Sequence, residues 1–312
     1  MRYTHKRLPQ LDGGLFLTDS GIETTLIFHY GLELPYFAAF PLLKDAEGRQ
    51  TLRDYYAQHF SIPGQVRAGF ILESPTWRAN PNWARKLGYS AQDLADINRA
   101  AIDLMHELRR EFETPSTPMV VSGCVGPADD GYRPGSIMSA DEAEAYHSAQ
   151  IGALASAGVN QVTAMTMTNV PEAIGIVRAA QAQTLPVVIS FTVETDGRLP
   201  AGETLGEAIQ AVDAATDAGP AYYVVNCAHP THFDTALGQA DWVRRIKGIR
   251  ANASRCSHAE LDEADTLDDG NPAELGQQYA SLRSRYPWIN VLGGCCGTDR
   301  RHIEHIATAC AA

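Results

Sequence analysis

The segment Val291-Leu-Gly-Gly-Cys-Cys-Gly-Thr-Asp299 joins a short apolar, β-prone run to two glycines and two adjacent cysteines. It predicts a buried strand that delivers two thiols to a loop, with a helix following over residues 299–309. The same unit recurs back along the chain. Apolar runs at 15–18, 69–73, 118–122, 160–164, 186–191, 221–226, 246–250 and 289–292 each lead to a segment of helical spacing, at 51–67, 91–112, 140–157, 171–183, 204–217, 233–237, 272–285 and 299–309. Strands that are apolar on both faces and alternate with helices belong to a parallel sheet, because only a crossover can reach a parallel neighbour. Eight such units are enough to close a barrel. The expected fold is therefore α/β, a (β/α)8 TIM barrel in a single domain over residues 1–312, with long loops at 27–50 and 250–271. An open doubly wound sheet is the competing arrangement.

Helix starts support this division. Ser139-Ala-Asp-Glu142 reads as a cap followed by an acidic first turn, and Asn271-Pro272 puts proline at the first helical position. Composition fits an ordinary folded protein, with 45% hydrophobic and 20% charged residues. The formal net charge of -12, without any cluster of Lys and Arg, argues against a nucleic-acid partner. No apolar run approaches the roughly 18 residues of a membrane span. The basic start Met1-Arg-Tyr-Thr-His-Lys-Arg7 leads into Leu-Pro-Gln-Leu-Asp-Gly-Gly rather than an apolar stretch, so no secretory leader and a cytoplasmic location are expected.

Ligands of either α/β architecture sit at the carboxyl ends of the strands. Asp19, Glu73, Cys124, Cys227, Asn252 and the Cys295/Cys296 pair all fall at or just beyond such ends. Adjacent cysteines do not easily bond to each other, since the small ring strains the peptide between them. They can grip one soft metal, and Zn2+ with three thiolates keeps a fourth position open for a substrate thiol. Cys227, at the end of Tyr222-Tyr-Val-Val-Asn-Cys227, is the best third ligand, with Cys124 and Cys256 as substitutes and Cys310 as helix packing. Such a site lowers the pKa of a bound thiol and makes it the nucleophile. His229 and His232 read as loop residues, and His302 and His305 as a helix face without a partner motif. The polar, acidic stretch 250–270 reads as a solvated loop, although it is long enough to cover the barrel mouth.

Three motifs give these residues a context. Asn226-Cys227 with Gly293-Gly-Cys-Cys-Gly-Thr298, the opening Thr18-Asp-Ser-Gly-Ile-Glu-Thr-Thr-Leu26, and Ser74-Pro-Thr-Trp-Arg-Ala79 with Ser122-Gly-Cys-Val-Gly-Pro127 together resemble the homocysteine S-methyltransferase family. The resemblance covers nearly the whole chain. It implies a zinc ion on Cys227, Cys295 and Cys296 as the catalytic centre, Asp19 near the amino group of an amino-acid thiol, amides around Ser20 and Gly21 at its carboxylate, and Asn226 beside metal or substrate. Where the family has a fourth-strand Glu-Thr-x-Pro whose glutamate anchors the ammonium, this chain has Met165-Thr-Met-Thr168. Asp19, Glu23 or Glu73 then has to compensate, or the acceptor is a different thiol.

The expected partners are a small thiol and a small methyl donor, and a homo-oligomer stays open. With no second domain in view for folate or cobalamin, the donor is expected to be an onium such as betaine or S-methylmethionine, bound over the barrel. A cation of that kind favours an aromatic wall. Trp77 is the leading candidate, with Phe28, Tyr30, Tyr36 and Phe37 available beside it. A barrel that binds these ligands without turnover is the reading from another functional class.

Overall fold

The computed structural model describes residues 8–133 and 135–311. The basic start over residues 1–7, and the expectation attached to it, lie outside the described residues. Among the described residues there are eight strands: β1 (Phe16–Leu17), β2 (Gly69–Glu73), β3 (Met119–Val125), β4 (Gln161–Met167), β5 (Val187–Phe191), β6 (Tyr222–Asn226), β7 (Ile246–Ala251) and β8 (Val291–Gly294). Each pairs in parallel with its neighbours, and β8 closes onto β1 through Phe16 opposite Val291 and Leu17 opposite Leu292. The fold is a (β/α)8 barrel, not an open sheet.

Alternation along the strands sorts their side chains into two sets. Phe16, Ile71, Val120, Val188, Tyr222, Val224 and Val291 fill the lower barrel interior, while Leu17, Phe70, Leu72, Val121 and their neighbours pack under the surrounding helices. Gly69 leaves room for the Phe16 ring, which its own Cβ would overlap. Two residues further up, the inward set turns polar. Glu73 on β2, Ser122 and Cys124 on β3, Thr163 on β4, Ser190 on β5, Asn226 on β6 and Arg250 on β7 are all buried. The barrel is thus a mainly apolar plug below, with Gln10 hydrogen-bonded to Gln161 and the Tyr222 hydroxyl in it, and a lined chamber above.

Helix boundaries follow capping chemistry. Ser90, Ser139 and Thr204 each form a capping box with an acidic residue three positions on, and Asn271 accepts from the amides of Ala273 and Glu274. The segment expected as one helix at 51–67 is two, Ala46–Ala57 and Ser61–Val66, the first capped by Asp45. The 27–50 loop therefore ends earlier than expected and contains short helical turns at Pro35–Phe37 and Phe40–Lys44. The helix Pro81–Lys86, announced by Asn80-Pro81, was not expected. Among the described residues, no helix is long and apolar enough to cross a membrane.

Candidate functional site

A cavity of about 450 Å³ opens at the carboxyl ends of the strands, lined by Asp19, Ser20, Gly21, Glu23, Glu73, Trp77, Asn226 and the three cysteines 227, 295 and 296. The Sγ atoms of those cysteines all lie within 4.8 Å of one another, and Cys227 and Cys296 are 3.8 Å apart. Three sulfurs bound tetrahedrally to one metal at roughly 2.3 Å would sit about 3.8 Å from each other, the separation Cys227 and Cys296 have, and three thiols are a donor set suited to a thiophilic ion. Cys227 and Cys295 are joined as a disulfide across 68 residues of sequence. That bond, which the sequence did not suggest, takes two of the three sulfurs out of thiolate chemistry until it is reduced. Of the substitutes, Cys124 lines the cavity from within β3 but is not part of the cluster, and Cys256 is exposed; Cys310 packs in the last helix. Burial pushes the Cys296 thiol up to about 11, against a lowering hydrogen bond from Tyr132.

Local structure explains why the sulfurs meet. β8 ends in Gly293-Gly294, where a Cβ at Gly293 would overlap the Thr18 hydroxyl and one at Gly294 the Thr298 hydroxyl. Cys295 N–H donates to Ala251 O (2.8 Å) and Ala253 N–H to Cys296 O (3.1 Å), which ties the thiol loop to the end of β7. Asn226 is fully buried, with its Oδ1 accepting from Thr166 N–H (3.0 Å) and the Ser190 hydroxyl (2.5 Å). Its Nδ2 donates to Thr166 Oγ1 (2.8 Å) and faces Cys295 Sγ at 3.8 Å. This side chain joins three strands and touches one sulfur.

The acidic residues differ in what they already hold. Asp19 Oδ1 accepts from Arg250 Nη2 (2.7 Å) and its Oδ2 from the Tyr55 hydroxyl (3.0 Å), both inside the barrel. Arg250 also donates through Nε to Gly294 O (3.1 Å). The Gly21 amide, expected at a substrate carboxylate, donates instead to Thr298 O (3.2 Å) and Oγ1 (3.2 Å), and the Ser20 hydroxyl meets His59 Nε2 (3.0 Å). Glu73 Oε2 is buried without a hydrogen-bond partner. Burial raises the carboxyls of Glu73 and Glu23 to about 7 each, with Arg250 opposing the rise at Glu73. Arg78 lies between the rings of Trp77 and Trp83, and its Nε and Nη1 have no partner.

Among the aromatics, Trp77, Phe28 and Phe37 line the cavity, joined by Tyr56 and Tyr132. Trp77 is fixed by its indole N–H donating to Met165 O (3.2 Å). Tyr36 turns away to pack on Trp83, and Tyr30 is not part of the lining. The stretch 250–270 is largely exposed beyond His258, as expected of a solvated loop, and it also reaches over the barrel mouth. It contains the helix His258–Asp262, and Leu261, Asp262, Ala264, Thr266, Leu267 and Asp268 form one side of the cavity. His258 donates through Nε2 to Cys227 O (2.5 Å) and stacks on Tyr132 with ring centroids 4.1 Å apart. The Tyr132 hydroxyl then lies 3.4 Å from Cys296 Sγ and 3.5 Å from Cys227 Sγ. His229 bonds to Thr231 in its own loop, His232 donates through Nε2 to Arg255 O (2.9 Å) of the 250–270 stretch, and His302 caps its helix against Asp299.

Sequence reading missed Arg250, Arg78, Tyr132 and His258. A charge at the top of a barrel strand was the available signal for Arg250; for the two loop residues there was none.

Comparison with known proteins follows this geometry. A family model described as homocysteine S-methyltransferase matches residues 16–310. Methionine synthase of Mycobacterium leprae is 25% identical over 235 residues, 71% of this chain, and that of Mycobacterium tuberculosis is 26% identical over 230 residues. The chain spans only 18% of the length of these curated relatives. The oxidized form of the homocysteine methyltransferase MmuM from Escherichia coli superposes with a TM-score of 0.76 at 18% identity, covering 96% of this chain and 99% of that one. Its metallated form gives 0.72 at 18% identity, covering 95% and 96%. At that identity the likeness shows a shared fold.

Proposed function

The chain belongs to the homocysteine S-methyltransferase family, and on that premise we propose that it is a zinc-dependent S-methyltransferase. It moves a methyl group from a small onium donor, of the S-methylmethionine or betaine type, to a thiol such as homocysteine, giving methionine. The observation that carries this is the convergence of three sulfurs from two strand ends on one aromatic-lined cavity. Reduced Cys227, Cys295 and Cys296 would hold a zinc ion, which when bound supplies the Lewis acidity that keeps an acceptor thiol ionised at neutral pH. A reducing cytoplasm is the setting that keeps those thiols available. The whole chain, 1–312, serves as one barrel domain with the long loops at its mouth.

The remaining work falls to the protein. Trp77, Phe28 and Phe37 offer π faces to the donor cation, which offset part of its lost hydration. Arg78 offers a cation to the carboxylate that amino-acid and betaine-like substrates share. Leu261, Leu267 and their neighbours cover the cavity and limit water at the acceptor sulfur, which bonds to the methyl group as the donor's own bond to it breaks. The donor leaves as a neutral amine or thioether. Alignment of the two substrates is the main catalytic contribution expected of the chain.

The engagement of Asp19 by Arg250 favours a second reading in which the acceptor is a thiol other than homocysteine. The test begins with zinc per chain, by elemental mass spectrometry on reduced protein, beside Cys296→Ser. About one zinc per chain, lost in the variant, together with methionine formed from homocysteine and S-methylmethionine or betaine, supports the proposal. Reduced protein that takes up no zinc sinks it, and methylation of other thiols alone selects the second reading.

A further inference from the structure

Six carboxylates line the cavity: Asp19, Glu23, Glu73, Asp130, Asp262 and Asp268. Most of them already have work. Asp19 is held by Arg250 and Tyr55 through its two oxygens. Asp130 caps the backbone of Tyr132 and Arg133, Asp268 accepts from Gly270 N–H, and Asp262 faces Arg133 at 4.0 Å. Glu23, of intermediate exposure as a residue though burial raises its carboxyl, has Arg78 among the charges acting on it. Glu73 stands apart from all of these. It is the last residue of β2, points inward in step with Ile71, and is 6% exposed.

The strand end that carries it is pinned, because the Tyr56 hydroxyl donates to the Glu73 carbonyl (2.7 Å). The side chain has Ser122, Thr163 and Arg250 around it, yet Arg250 makes its ion pair with Asp19. A buried carboxylate oxygen without a donor costs free energy that a ligand cation can recover. We infer that Glu73 is the specificity residue that receives the ammonium group of an α-amino thiol, the class of acceptor this site takes.

The inference rests on the thiol methyltransferase reading and deepens it. An ammonium brings three N–H donors on one nitrogen, and Glu73 Oε2, which lines the cavity and lacks a donor, can accept one of them. The same molecule's sulfur reaches the cysteine cluster in the same cavity. An acceptor without the amine leaves Glu73 Oε2 buried and without a donor. Sites built to hydrogen-bond a polar group discriminate strongly against analogues that lack it.

The experiment compares homocysteine with 4-sulfanylbutanoate, which has the same skeleton without the amine, as ligands of the zinc-loaded, reduced, full-length protein. Affinities are read by calorimetry without a methyl donor, for wild type, Glu73→Gln, Glu73→Asp and Glu23→Gln. Wild type is expected to prefer homocysteine by about 30-fold or more, and Glu73→Gln to lose that preference while binding 4-sulfanylbutanoate as before. Unchanged binding of the deaminated thiol also reports that the variant is folded, and Glu73→Asp should keep part of the preference. The assignment is overturned if Glu73→Gln weakens both thiols alike or neither, or if Glu23→Gln is the variant that removes the preference. Wild type that binds both thiols equally overturns the assignment and leaves the function standing. Wild type that binds zinc but neither thiol overturns both.

Discussion

Replacing Arg250 by leucine tests how the upper barrel is held together. The guanidinium makes an ion pair with Asp19 at 2.7 Å, with the two side chains only 8% and 3% exposed. It also donates to the Gly294 carbonyl at 3.1 Å and reaches the Ser20 carbonyl at 3.5 Å. Arg250→Leu leaves Asp19 charged, buried and supported only by the Tyr55 hydroxyl. Removing one partner of a buried pair costs about 3–5 kcal/mol, because the other charge stays uncompensated. Removing both is far cheaper. The double variant Arg250→Leu/Asp19→Leu should therefore be less destabilised than the sum of its parts, with a coupling of at least about 2 kcal/mol. Arg250→Lys keeps the charge but loses the planar fork, and should fall between wild type and Arg250→Leu. Urea unfolding of reduced protein gives the midpoints and slopes for all five chains: wild type, Arg250→Leu, Asp19→Leu, the double variant and Arg250→Lys. An Arg250→Leu variant within about 0.5 kcal/mol of wild type, or strictly additive single effects, would refute the reasoning.

Burial holds the Glu73 carboxyl at about 7 against 4.5 in solution, so between those values the folded chain keeps a proton the unfolded chain has lost. The contribution of this group to stability therefore falls as pH rises through that window; Glu73→Gln should flatten the loss by on the order of 2–3 kcal/mol, read from urea midpoints at about pH 5 and about pH 7.5. Gly293→Ala places a methyl against the Thr18 hydroxyl at the base of the thiol loop. It should cost about 1–3 kcal/mol in the same unfolding assay and lower zinc per chain. Because Cys227 and Cys295 are bonded to each other, oxidised protein should take up no zinc, and uptake should follow free-thiol titre as reductant is added. His258→Ala removes a donor to Cys227 O and the ring beneath Tyr132, so zinc should be released to a chelator at least about 5-fold faster, with global stability lowered by only about 1 kcal/mol.

Much of this was legible because barrel strands are locally written. The run at 69–73 is β2 to the residue, since an apolar stretch buried on both faces stops where Glu73 introduces charge. β4 runs on to Met167, past the expected end at 164, because Met165, Thr166 and Met167 are also buried and extend the ladder toward β5. The three thiols stood out through their glycine neighbours and strand-end positions. Arg250 did not, because one arginine closing Ile-Lys-Gly-Ile-Arg reads equally well as the polar end of a strand. Tyr132 lies in an irregular segment and His258 opens a short helix between loops, and both are positioned by contacts with each other and with Cys227. No local periodicity encodes such contacts. The Cys227–Cys295 bond was out of reach for the same reason, since pairing cannot be deduced from spacing.

The backbone at the top of β6 shows why the loops belong to the site. Cys227 has φ 51° and Thr166, its neighbour across Asn226, has φ 63°. Left-handed conformations are costly for both, and for a β-branched threonine especially so, by about 1–3 kcal/mol each. Each is held by hydrogen bonds that a relaxed backbone would not make. Thr166 exchanges two with the Asn226 amide, at 3.0 and 2.8 Å. The Cys227 carbonyl accepts from Asn252 Nδ2 (3.1 Å), the Thr192 hydroxyl (3.4 Å) and His258 Nε2 (2.5 Å). Two of those donors come from barrel positions and one from the covering loop. The turn that swings the Cys227 sulfur toward Cys295 and Cys296 is therefore shared between scaffold and cover. A covering loop that moved off the mouth would withdraw His258, removing a donor from the Cys227 carbonyl and the ring that stacks on Tyr132 of the separate loop after β3. Access to the cavity and the geometry of the thiol cluster are, on this argument, one coupled variable.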